Sequence, residues 1–381
     1  MLLPAVSLIC LALLAAPARA AEPDAAPFTD PAEWGEALFF DTNLSQNRTQ
    51  ACASCHAPAR AFTDPRQTRA GAAVSLGDDG VSLGDRNAPT AMYAGFVPPF
   101  TRRADGMWEG GLFHDGRAAD LAAQAGGPPL NPVEMGLPSK RAVLARLNET
   151  PRYRATLAAQ GLSDDPEGAY AAMTAALAAY EKTAVFAPFS SRYDRYLRGE
   201  IELTPEEDLG RVLFFSQQFT NCNLCHQLRR SPTDPAETFS NYEYHNIGVP
   251  ANTAVRAVNG LGADHVDAGL AANPQVSDPA AQGRFRVPGL RNVAVTGPYM
   301  HNGVFADLRT VILFYNKYNS RRPDRQINPE TGAPWAPPEV AANLSRDLLE
   351  EGPALDDRRI DALVAFLEAL TDAEYEPLLD R

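Results

Sequence analysis

Cysteine is scarce in this chain, with five residues in a total of 381. Four of them form two close pairs and the fifth, Cys10, lies near the start, which is not the spacing of a disulfide-stapled fold. Long apolar runs are lacking as well, since none reaches the roughly 20 residues that a membrane-spanning helix needs. Positive charge is outnumbered: the formal net charge of −13 argues against a nucleic-acid partner, which requires a basic surface.

The first twenty residues have the composition of an export signal. Residues 2–14 are almost wholly apolar but too short to cross a bilayer, and residues 18–20 read Ala-Arg-Ala, which suits a signal-peptide cleavage site. We therefore expect residues 1–20 to be a signal peptide and the mature protein to be periplasmic, without a membrane partner.

Both cysteine pairs belong to C-x-x-C-H motifs, which begin 170 residues apart. The motifs are Cys52-Ala53-Ser54-Cys55-His56 and Cys222-Asn223-Leu224-Cys225-His226. This signature marks c-type haem, in which the two thiols bond to the porphyrin and the adjacent histidine becomes an iron ligand. A single copy also fits a redox C-x-x-C that happens to precede a histidine, but two copies predict a protein with two covalent haems. Such haems are attached on the periplasmic side of bacterial membranes, in agreement with the predicted signal.

A similar helix start precedes each motif. Asp30-Pro31 and Thr204-Pro205 both combine an N-cap residue with proline at the first helical position. Each half also ends in a stretch with helical periodicity of apolar residues, at 169–183 and at 359–370. The repeat of helix, haem motif, loops and closing helix is the plan of a small cytochrome c domain.

We therefore predict a mostly α fold made of two tandem cytochrome c-like domains, each with one covalent haem. The expected bounds are residues 21–195 for the domain with the peroxide-reactive haem and residues 196–381 for the second. Stretches such as 71–99 and 271–295 show no sustained period. We expect them to form long, irregular but ordered loops, because haem offers a large apolar surface for them to pack on.

The coordination of the first iron can be judged from the positions of the six histidines. None lies between residues 57 and 113, so the loop after the first motif offers no histidine to close that iron. It offers Met92 and Met107, which we expect to be packing residues. The sequence thus favours an open, five-coordinate first haem, which can bind and cleave a small oxidant.

A more specific pattern follows the first motif. It comprises Leu112-Phe113-His114-Asp115-Gly116-Arg117-Ala118, then Gln124, then Pro128-Pro129-Leu130-Asn131-Pro132-Val133-Glu134-Met135-Gly136. These residues resemble the pocket of the bacterial dihaem cytochrome c peroxidase family. The resemblance implies that Gln124 and Glu134 lie over the open haem and that Pro128 crowds its open face. A carboxyl with a raised pKa can move a proton between the oxygens of a peroxide, while an amide orients it.

The second half contains Gly297-Pro298-Tyr299-Met300-His301. In conventional members of the family a methionine beyond this segment is the distal ligand of the second haem, but here the matching position, fourteen after His301, is Tyr315. This tyrosine makes the chain similar to the branch of the family that completes the tryptophan tryptophylquinone cofactor of methylamine dehydrogenase. A phenolate favours ferric or higher states over ferrous iron. The alternative is that Tyr315 is a core residue and Met300 is the ligand.

The resemblance implies a periplasmic dihaem oxidoreductase that uses hydrogen peroxide, or dioxygen plus electrons, to oxidise tryptophans of precursor methylamine dehydrogenase. The second haem, with Tyr315 as ligand, would share the oxidising equivalents, and a small cytochrome or a cupredoxin is a further electron-donor partner. The side chain of Asn87 and the carbonyl oxygens of Thr296 and Pro298 are implied ligands of a calcium ion between the domains. Oxygen ligands suit this hard cation.

Two positions depart from the family pattern. The family usually has tryptophan where His114 stands, between the haems, and imidazole is much harder to oxidise than indole. We expect His114 to hold a hydrogen-bond bridge, with Trp108 or Phe113 as the nearby aromatic; ligation of the first iron by His114 is the alternative. Thr220 stands where the quinone-forming branch carries a surface tryptophan.

Two other functions stay open on the sequence alone. The first is a conventional dihaem cytochrome c peroxidase that reduces hydrogen peroxide with electrons from a small cytochrome, against which Tyr315 argues. The second is a non-enzymatic dihaem electron carrier, which requires both irons to have two strong axial ligands. His245 and His265 are predicted to be structural.

Overall fold

The computed structural model describes residues 25–228, 231 and 233–380, so the predicted signal peptide lies outside the described residues. Thirteen α-helices occur in this part of the chain. They are α1 (Pro31–Phe39), α2 (Cys52–Cys55), α3 (Leu121–Ala125), α4 (Lys140–Glu149), α5 (Pro151–Ala159), α6 (Pro166–Tyr180), α7 (Arg192–Leu197), α8 (Pro205–Phe214), α9 (Cys222–Cys225), α10 (Thr253–Arg256), α11 (Leu308–Asn316), α12 (Arg346–Leu349) and α13 (Asp357–Glu368).

Short 3₁₀ helices connect these elements. They are Thr42–Leu44, Pro58–Arg60, Ala94–Phe96, Pro128–Leu130, Ala184–Phe186, Leu270–Ala272, Pro279–Ala281, Val293–Val295, Pro323–Gln326 and Glu376–Leu378. The described ranges contain no helix with the length and apolar character required to cross a membrane.

Strands are few and very short. Strand β1 (Thr101–Arg102) pairs antiparallel with β2 (Trp108–Glu109). Strand β3 (Tyr244–His245) pairs antiparallel with β4 (Phe285–Arg286), so that Tyr244 faces Arg286 and His245 faces Phe285. The predicted helical fold with little sheet and long irregular loops is confirmed.

The helix starts follow the local sequence. The Asp30 side chain caps α1 by accepting from the backbone N–H of Ala32 at 2.9 Å. At α8 the hydroxyl of Thr204 accepts from the N–H of Glu207 at 3.2 Å, and the Glu207 carboxylate accepts from the N–H of Thr204 at 2.7 Å. Such a reciprocal capping box satisfies two backbone donors at a helix N-terminus. Both predicted helix starts are therefore confirmed.

Two helix pairs form the two main cores. In the first, Trp34 and Leu38 of α1 pack with Leu177 and Tyr180 of α6. In the second, α8 packs on α13, and the buried contributors include Leu213, Phe214, Ile360, Leu363 and Phe366. The closing helices thus fall within three residues of the predicted segments, and each haem motif follows the first helix of its pair.

Interior polar contacts join the two halves of the chain. The carboxylate of Asp372 accepts hydrogen bonds from the hydroxyl of Tyr93 at 2.8 and 2.9 Å and from the side-chain amide of Asn292 at 2.8 Å. Helix α7 runs across residues 195 and 196, where we placed the domain boundary, and its Tyr193 packs in the second core. The halves therefore meet through a buried network centred on Asp372.

Candidate functional site

The first C-x-x-C-H motif opens into a cavity of about 430 Å³. Cys52 and Cys55 occupy the single-turn helix α2, which places both thiols on the cavity wall. Burial raises the pKa of the Cys52 thiol to about 12 and that of Cys55 to about 11. The wall brings together every residue predicted for the first haem: Cys52, Cys55, His56, His114, Gln124, Pro128 and Glu134.

The two motif histidines are held in the same way. The Nδ1–H of His56 donates to the carbonyl oxygen of Phe62 at 3.1 Å, and the Nδ1–H of His226 donates to that of Phe239 at 3.1 Å. Because a carbonyl oxygen can only accept, Nδ1 carries the proton and Nε2 keeps its lone pair for a metal. Burial lowers the pKa of His226 to about 4, which also favours the neutral ring.

Glu134 and Gln124 reach the first cavity from separate elements. Gln124 lies on α3, whose N-cap Asp120 accepts from the backbone N–H of Ala123 at 2.9 Å. Pro128 begins the 3₁₀ helix that follows, and Glu134 lies in the turn after it. Six residues between positions 124 and 135 line the cavity, so this segment forms one side of it.

The electrostatics of Glu134 suit a proton-holding group. Burial raises the pKa of Glu134, and the charge of Arg117 opposes this only in part. Arg117 itself is held by Asp115, with its Nη1 2.9 Å from a carboxylate oxygen, and it lies over the ring of Phe113 at 3.7 Å. A carboxyl with a raised pKa stays protonated closer to neutral pH, as a general acid requires.

His114 lines both the first cavity and a second one. Its Nε2–H donates to the backbone carbonyl of Asn87 at 2.9 Å, and burial lowers its pKa to about 4, so the ring is neutral. Of the two aromatics considered beside it, Phe113 lines the first cavity, whereas Trp108 stacks on Phe100 at 4.9 Å and lines neither. His114 thus bonds to Asn87, which also lines both cavities, and its role between the haems stays a prediction.

The second motif faces a cavity of about 320 Å³. Cys222, Cys225 and His226 line it, and Tyr315 enters it from α11. Burial raises the pKa of Tyr315, and the neighbouring thiols of Cys225 and Cys222 raise it further. Met300 lines the same cavity, so the structure brings both alternative axial ligands to it.

Other residues singled out in the sequence make hydrogen bonds or packing contacts. His245 is buried in the wall of the second cavity with its Nε2 3.4 Å from a carboxylate oxygen of Glu243. Thr220 lines that cavity too, and its hydroxyl donates to the carbonyl of Leu213 at 2.6 Å. Met92 is part of the first core and of the first cavity wall, as a packing residue.

The donor sets of the two cavities fit c-type haem. Each cavity presents two thiols one helical turn apart and an imidazole whose Nδ1 proton is fixed by a carbonyl, which leaves Nε2 for iron. Apolar side chains make up most of the remaining lining. Cys52, Cys55 and His56 would hold one haem, and Cys222, Cys225 and His226 the other.

The three predicted calcium ligands also meet. Asn87, Thr296 and Pro298 border a third cavity of about 10 Å³, together with Asp64 and Ser75. The side-chain amide of Asn87 donates to the carbonyl of Ala73 at 3.0 Å, which leaves its Oδ1 free for a cation. The lining is rich in oxygen, the ligand type that calcium prefers.

Sequence reasoning missed the charged residues around the cavities. Arg86 donates to Asp115 at 2.7 Å and to Asp267 at 2.6 and 2.7 Å, and Arg286 lines both haem cavities. The partners Arg86 and Asp267 are 181 residues apart. No local spacing could have indicated that contact.

The chain is similar in sequence to known proteins. A profile of the family described as Di-haem cytochrome c peroxidase matches residues 29–202. The chain is 59% identical over 379 residues to the methylamine utilization protein MauG of Paracoccus denitrificans (strain Pd 1222), which covers 98% of this chain and 97% of that protein. It is 32% identical over 271 residues to the cytochrome c peroxidase Ccp of Escherichia coli (strain K12), which covers 71% of this chain and 49% of Ccp.

The fold is similar to the crystal structure of the diheme peroxidase BthA from Burkholderia thailandensis E264, with a TM-score of 0.79, 36% identity, and coverage of 92% of this chain and 87% of BthA. Fold and site together define a haem-dependent, peroxidase-like oxidoreductase. The chain belongs to the dihaem cytochrome c peroxidase family, and within it to the MauG-like members, as its motifs predicted. Membership implies two c-type haems.

Proposed function

We propose that this chain is a periplasmic dihaem enzyme that uses hydrogen peroxide, or dioxygen plus electrons, to complete the tryptophan tryptophylquinone cofactor of precursor methylamine dehydrogenase. The observation that carries this proposal is the 59% identity to a methylamine utilization protein, which extends over 98% of the chain. Periplasmic location follows from the predicted signal and from covalent haem attachment.

When bound, the haems supply the redox centres at which peroxide accepts two electrons. The protein's own part at the first cavity is proton transfer and positioning. Glu134, whose pKa burial raises, would hold the proton that the departing oxygen needs, and the amide of Gln124 would orient the oxidant. Pro128 would restrict the open face, and the neutral His114 would keep the boundary between the cavities rigid through its bond to Asn87.

At the second cavity we propose that Tyr315, together with His226, would bind the iron of the second haem. Tyr315 lines this cavity close enough to Cys225 and Cys222 for their thiols to raise its pKa, which supports this choice. A phenolate ligand disfavours ferrous iron. The second centre would therefore be a poor electron relay from a small donor and well suited to withdrawing electrons from a protein.

The electrons come from tryptophan side chains of the partner. Each hydrogen peroxide takes up two electrons and two protons and yields two waters, so the substrate loses two electrons per turnover. The boundary position His114 and the position Thr220 carry no oxidisable indole. Transfer from the partner therefore does not depend on an aromatic side chain at either place.

The proposal also includes a calcium site, the bounds of the two haem domains and an electron donor. Asn87, Thr296 and Pro298 would bind calcium at the small oxygen-lined cavity, with Asp64 beside them. Residues 21–195 and 196–381 would be the two haem domains. A small cytochrome or a cupredoxin would supply electrons when dioxygen is the oxidant.

The test uses the fully ferric dihaem protein. Stoichiometric hydrogen peroxide should change the Soret band without prior reduction, and added precursor methylamine dehydrogenase should restore it while quinone absorbance and methylamine dehydrogenase activity appear. A protein that reacts only after one haem is reduced, and that leaves the precursor unchanged, would contradict the proposal.

A second candidate is a conventional cytochrome c peroxidase. Met300 lines the second cavity together with Tyr315, and a thioether there would raise the potential of the haem and allow it to relay electrons. Steady-state peroxide reduction with a small cytochrome as donor would favour this function. The two candidates thus differ in which of these two side chains ligates the second iron.

A further inference from the structure

Two interior arginines are neutralised by carboxylates of this chain. Arg86 contacts both Asp115 and Asp267, and Arg291 donates to the two oxygens of Asp194 at 2.9 and 3.0 Å. The side chain of Arg291 is 2% exposed. A guanidinium paired in this way can stay charged away from water, because its N–H groups form two parallel hydrogen bonds to the carboxylate oxygens.

Arg286, unlike Arg86 and Arg291, has no carboxylate partner within the described residues. It lies on β4, where its backbone N–H donates to the carbonyl of His114 at 2.9 Å. No carboxylate forms an ion pair with it in the part of the chain that the structure describes. Within the described residues, its side chain donates hydrogen bonds to the carbonyls of Phe113 at 3.4 Å and Val287 at 3.5 Å, both long for an N–H···O bond.

The position of Arg286 is shared between the two haem cavities. Both walls include Arg286, and among the residues common to the two walls it alone has a permanently charged side chain. The other titratable group there, His114, is neutral because burial lowers its pKa to about 4. Arg286 thus places a single positive charge at the boundary where the two cavities meet.

The surroundings of Arg286 compensate that charge only weakly, through a cation–π contact in which the guanidinium lies 5.6 Å from the centre of the Tyr242 ring. Burial lowers the pKa of Arg286, and only the phenols of Tyr244 and Tyr242 oppose the shift. For Arg86 and Arg291 burial acts in the same direction, but the carboxylates beside them outweigh it and raise the pKa. Haem in both cavities would bury this guanidinium without a carboxylate partner from the described chain, and such a buried charge is strongly destabilising unless an anion pairs with it. A haem carries two propionate carboxylates, and these are the anions that haem-filled cavities would bring.

We propose that Arg286 is a shared anchor that binds one propionate carboxylate from each of the two haems. The inference rests on the dihaem assignment and adds the residue that links the two cofactors. The same protein shows that one guanidinium can serve two carboxylates, since Arg86 uses Nη1 for Asp115 and Nε with Nη2 for Asp267. The guanidinium of Arg286 has the same five N–H donors, and none of them bonds to a carboxylate of the described chain.

A shared anchor has a consequence for both irons. A fixed positive charge near each haem stabilises the reduced, less positive state, so its removal lowers both reduction potentials. The carboxylate fork also fixes the orientation of both propionates. The effects of charge and of geometry can be separated experimentally. Lysine keeps the positive charge but lacks the planar guanidinium that binds a carboxylate through two hydrogen bonds.

The experiment compares Arg286→Gln and Arg286→Lys with the unaltered dihaem protein. Haem content per chain and thermal unfolding establish that both cofactors are attached, and spectroelectrochemistry gives the two midpoint potentials. Arg286→Gln should lower both potentials and shift the propionate bending bands in the resonance Raman spectrum. Arg286→Lys should keep the potentials near those of the parent but still shift the bands. Arg322→Gln, which removes an equal charge from an exposed site paired with Asp324, should change neither.

Unchanged potentials and bands in a fully loaded Arg286→Gln protein would overturn the proposal, and so would a shift confined to one haem. If neither variant retains two haems, a crystal structure of the parent dihaem protein decides, since propionates of both haems must lie within hydrogen-bond distance of the Arg286 guanidinium. None of these readouts involves the protein partner. Failure of the anchor is therefore distinguishable from failure to form the quinone cofactor.

Discussion

A methyl group on the Cα of Gly210 would lie 1.9 Å from the carbonyl oxygen of Ala362. Helices α8 and α13 therefore touch backbone to backbone at this point. The other half of the chain repeats the contact, since a methyl on Gly35 of α1 would lie 2.0 Å from the carbonyl oxygen of Ala176 in α6. The two helix pairs thus pack in the same way: a glycine in the first helix lets its backbone approach the backbone of the second helix closely.

We expect Gly210→Ala to destabilise the protein. Alanine would gain about 1 kcal/mol in helix propensity, but the clash with backbone forces the helices apart, and overpacking of this kind costs about 1–3 kcal/mol or more. Chemical unfolding of the dihaem protein, followed by far-UV circular dichroism, measures the net loss. Val212→Ala, on the exposed side of the same helix, serves as the control and should leave the unfolding midpoint in place. A Gly210→Ala protein as stable as its parent would mean that α8 and α13 do not touch there.

Tyr315→Met should move the enzyme toward conventional peroxidase behaviour. A thioether raises the reduction potential of a haem relative to a phenolate. The variant should therefore react with peroxide only after partial reduction, and it should lose quinone formation on the precursor. Rapid-scan absorbance with ferric and half-reduced protein makes the comparison.

Tyr318→Phe is the matched control for that variant. Its hydroxyl donates to the carbonyl of Ile247 at 3.0 Å and it does not line the second cavity. It should retain the parent spectrum and reactivity. If Tyr315→Met does so as well, Met300 is the better choice for the axial ligand.

Glu134→Gln should slow the reaction with peroxide by roughly 10²–10⁴-fold, the usual contribution of a positioned acid–base group. Haem content should not change, because Glu134 is remote from both attachment motifs in sequence and bonds to neither. Stopped-flow measurement of the second-order rate constant tests this. Glu149→Gln, which alters only a surface pair with Arg48, should react at the parent rate.

The same reaction should depend on pH in a defined direction. Because burial raises the pKa of Glu134, the carboxyl is protonated below that raised value and loses its proton as pH increases through it. A role as proton donor therefore predicts a rate that falls on the alkaline side. The Glu134→Gln profile should lack this limb, and an alkaline limb that persists in the variant would assign it to another group.

Asp267→Asn should reduce stability at neutral pH by about 3–5 kcal/mol, the cost of breaking a buried ion pair at one partner. Burial alone would raise the pKa of Asp267, but the hydrogen bonds and charge of Arg86 outweigh it and hold that pKa well below its ordinary value. The contribution is thus present above about pH 3.9, the unfolded value, and declines as pH falls below it.

Urea unfolding of the parent and of Asp267→Asn at pH 7 and at pH 3 gives the comparison. The difference between them should be largest at pH 7 and should narrow at pH 3. Asp324→Asn removes an exposed partner of Arg322 and should not alter the midpoint. A difference that is constant across pH would show that the pair is not electrostatic in origin.

Calcium should be present at one ion per chain in the purified protein, and Asn87→Ala should reduce that occupancy. Asn87 borders the oxygen-lined cavity and both haem cavities, so loss of the ion should also perturb both Soret bands. Elemental analysis before and after chelation provides the count. Asn43→Ala, whose side chain bonds to Arg146 away from these cavities, should keep its calcium. Full occupancy in Asn87→Ala would exclude this residue as a ligand.

Local signals in the sequence predicted the elements that local chemistry controls. The caps at Asp30 and Thr204 and the C-x-x-C-H turns depend on residues three or four positions apart, and the structure has them where the sequence put them. The resemblance to a known family added Gln124 and Glu134, which do meet in one cavity.

Contacts between distant segments could not be predicted in this way. Arg86 finds Asp267 at a separation of 181 residues, and Arg286 reaches the haem boundary only because β4 pairs with β3. Neither residue belongs to a motif, and arginine in a loop is ordinarily a solvated residue. The positions of Arg86 and Arg286 depend on how the two halves of the chain pack together. The spacing of residues in a single sequence does not reveal that packing.

The wall of the first cavity is completed by the second half of the chain, through Arg286 and Arg291, while Cys52 and His56 come from the first half. Helices α1 and α6 can pack on each other before the second half of the chain folds, because both precede the second motif. A polypeptide interrupted after α7 would present its first cofactor in a cleft open to solvent on one side. The first cavity is therefore enclosed only after the second half of the chain has folded against the first.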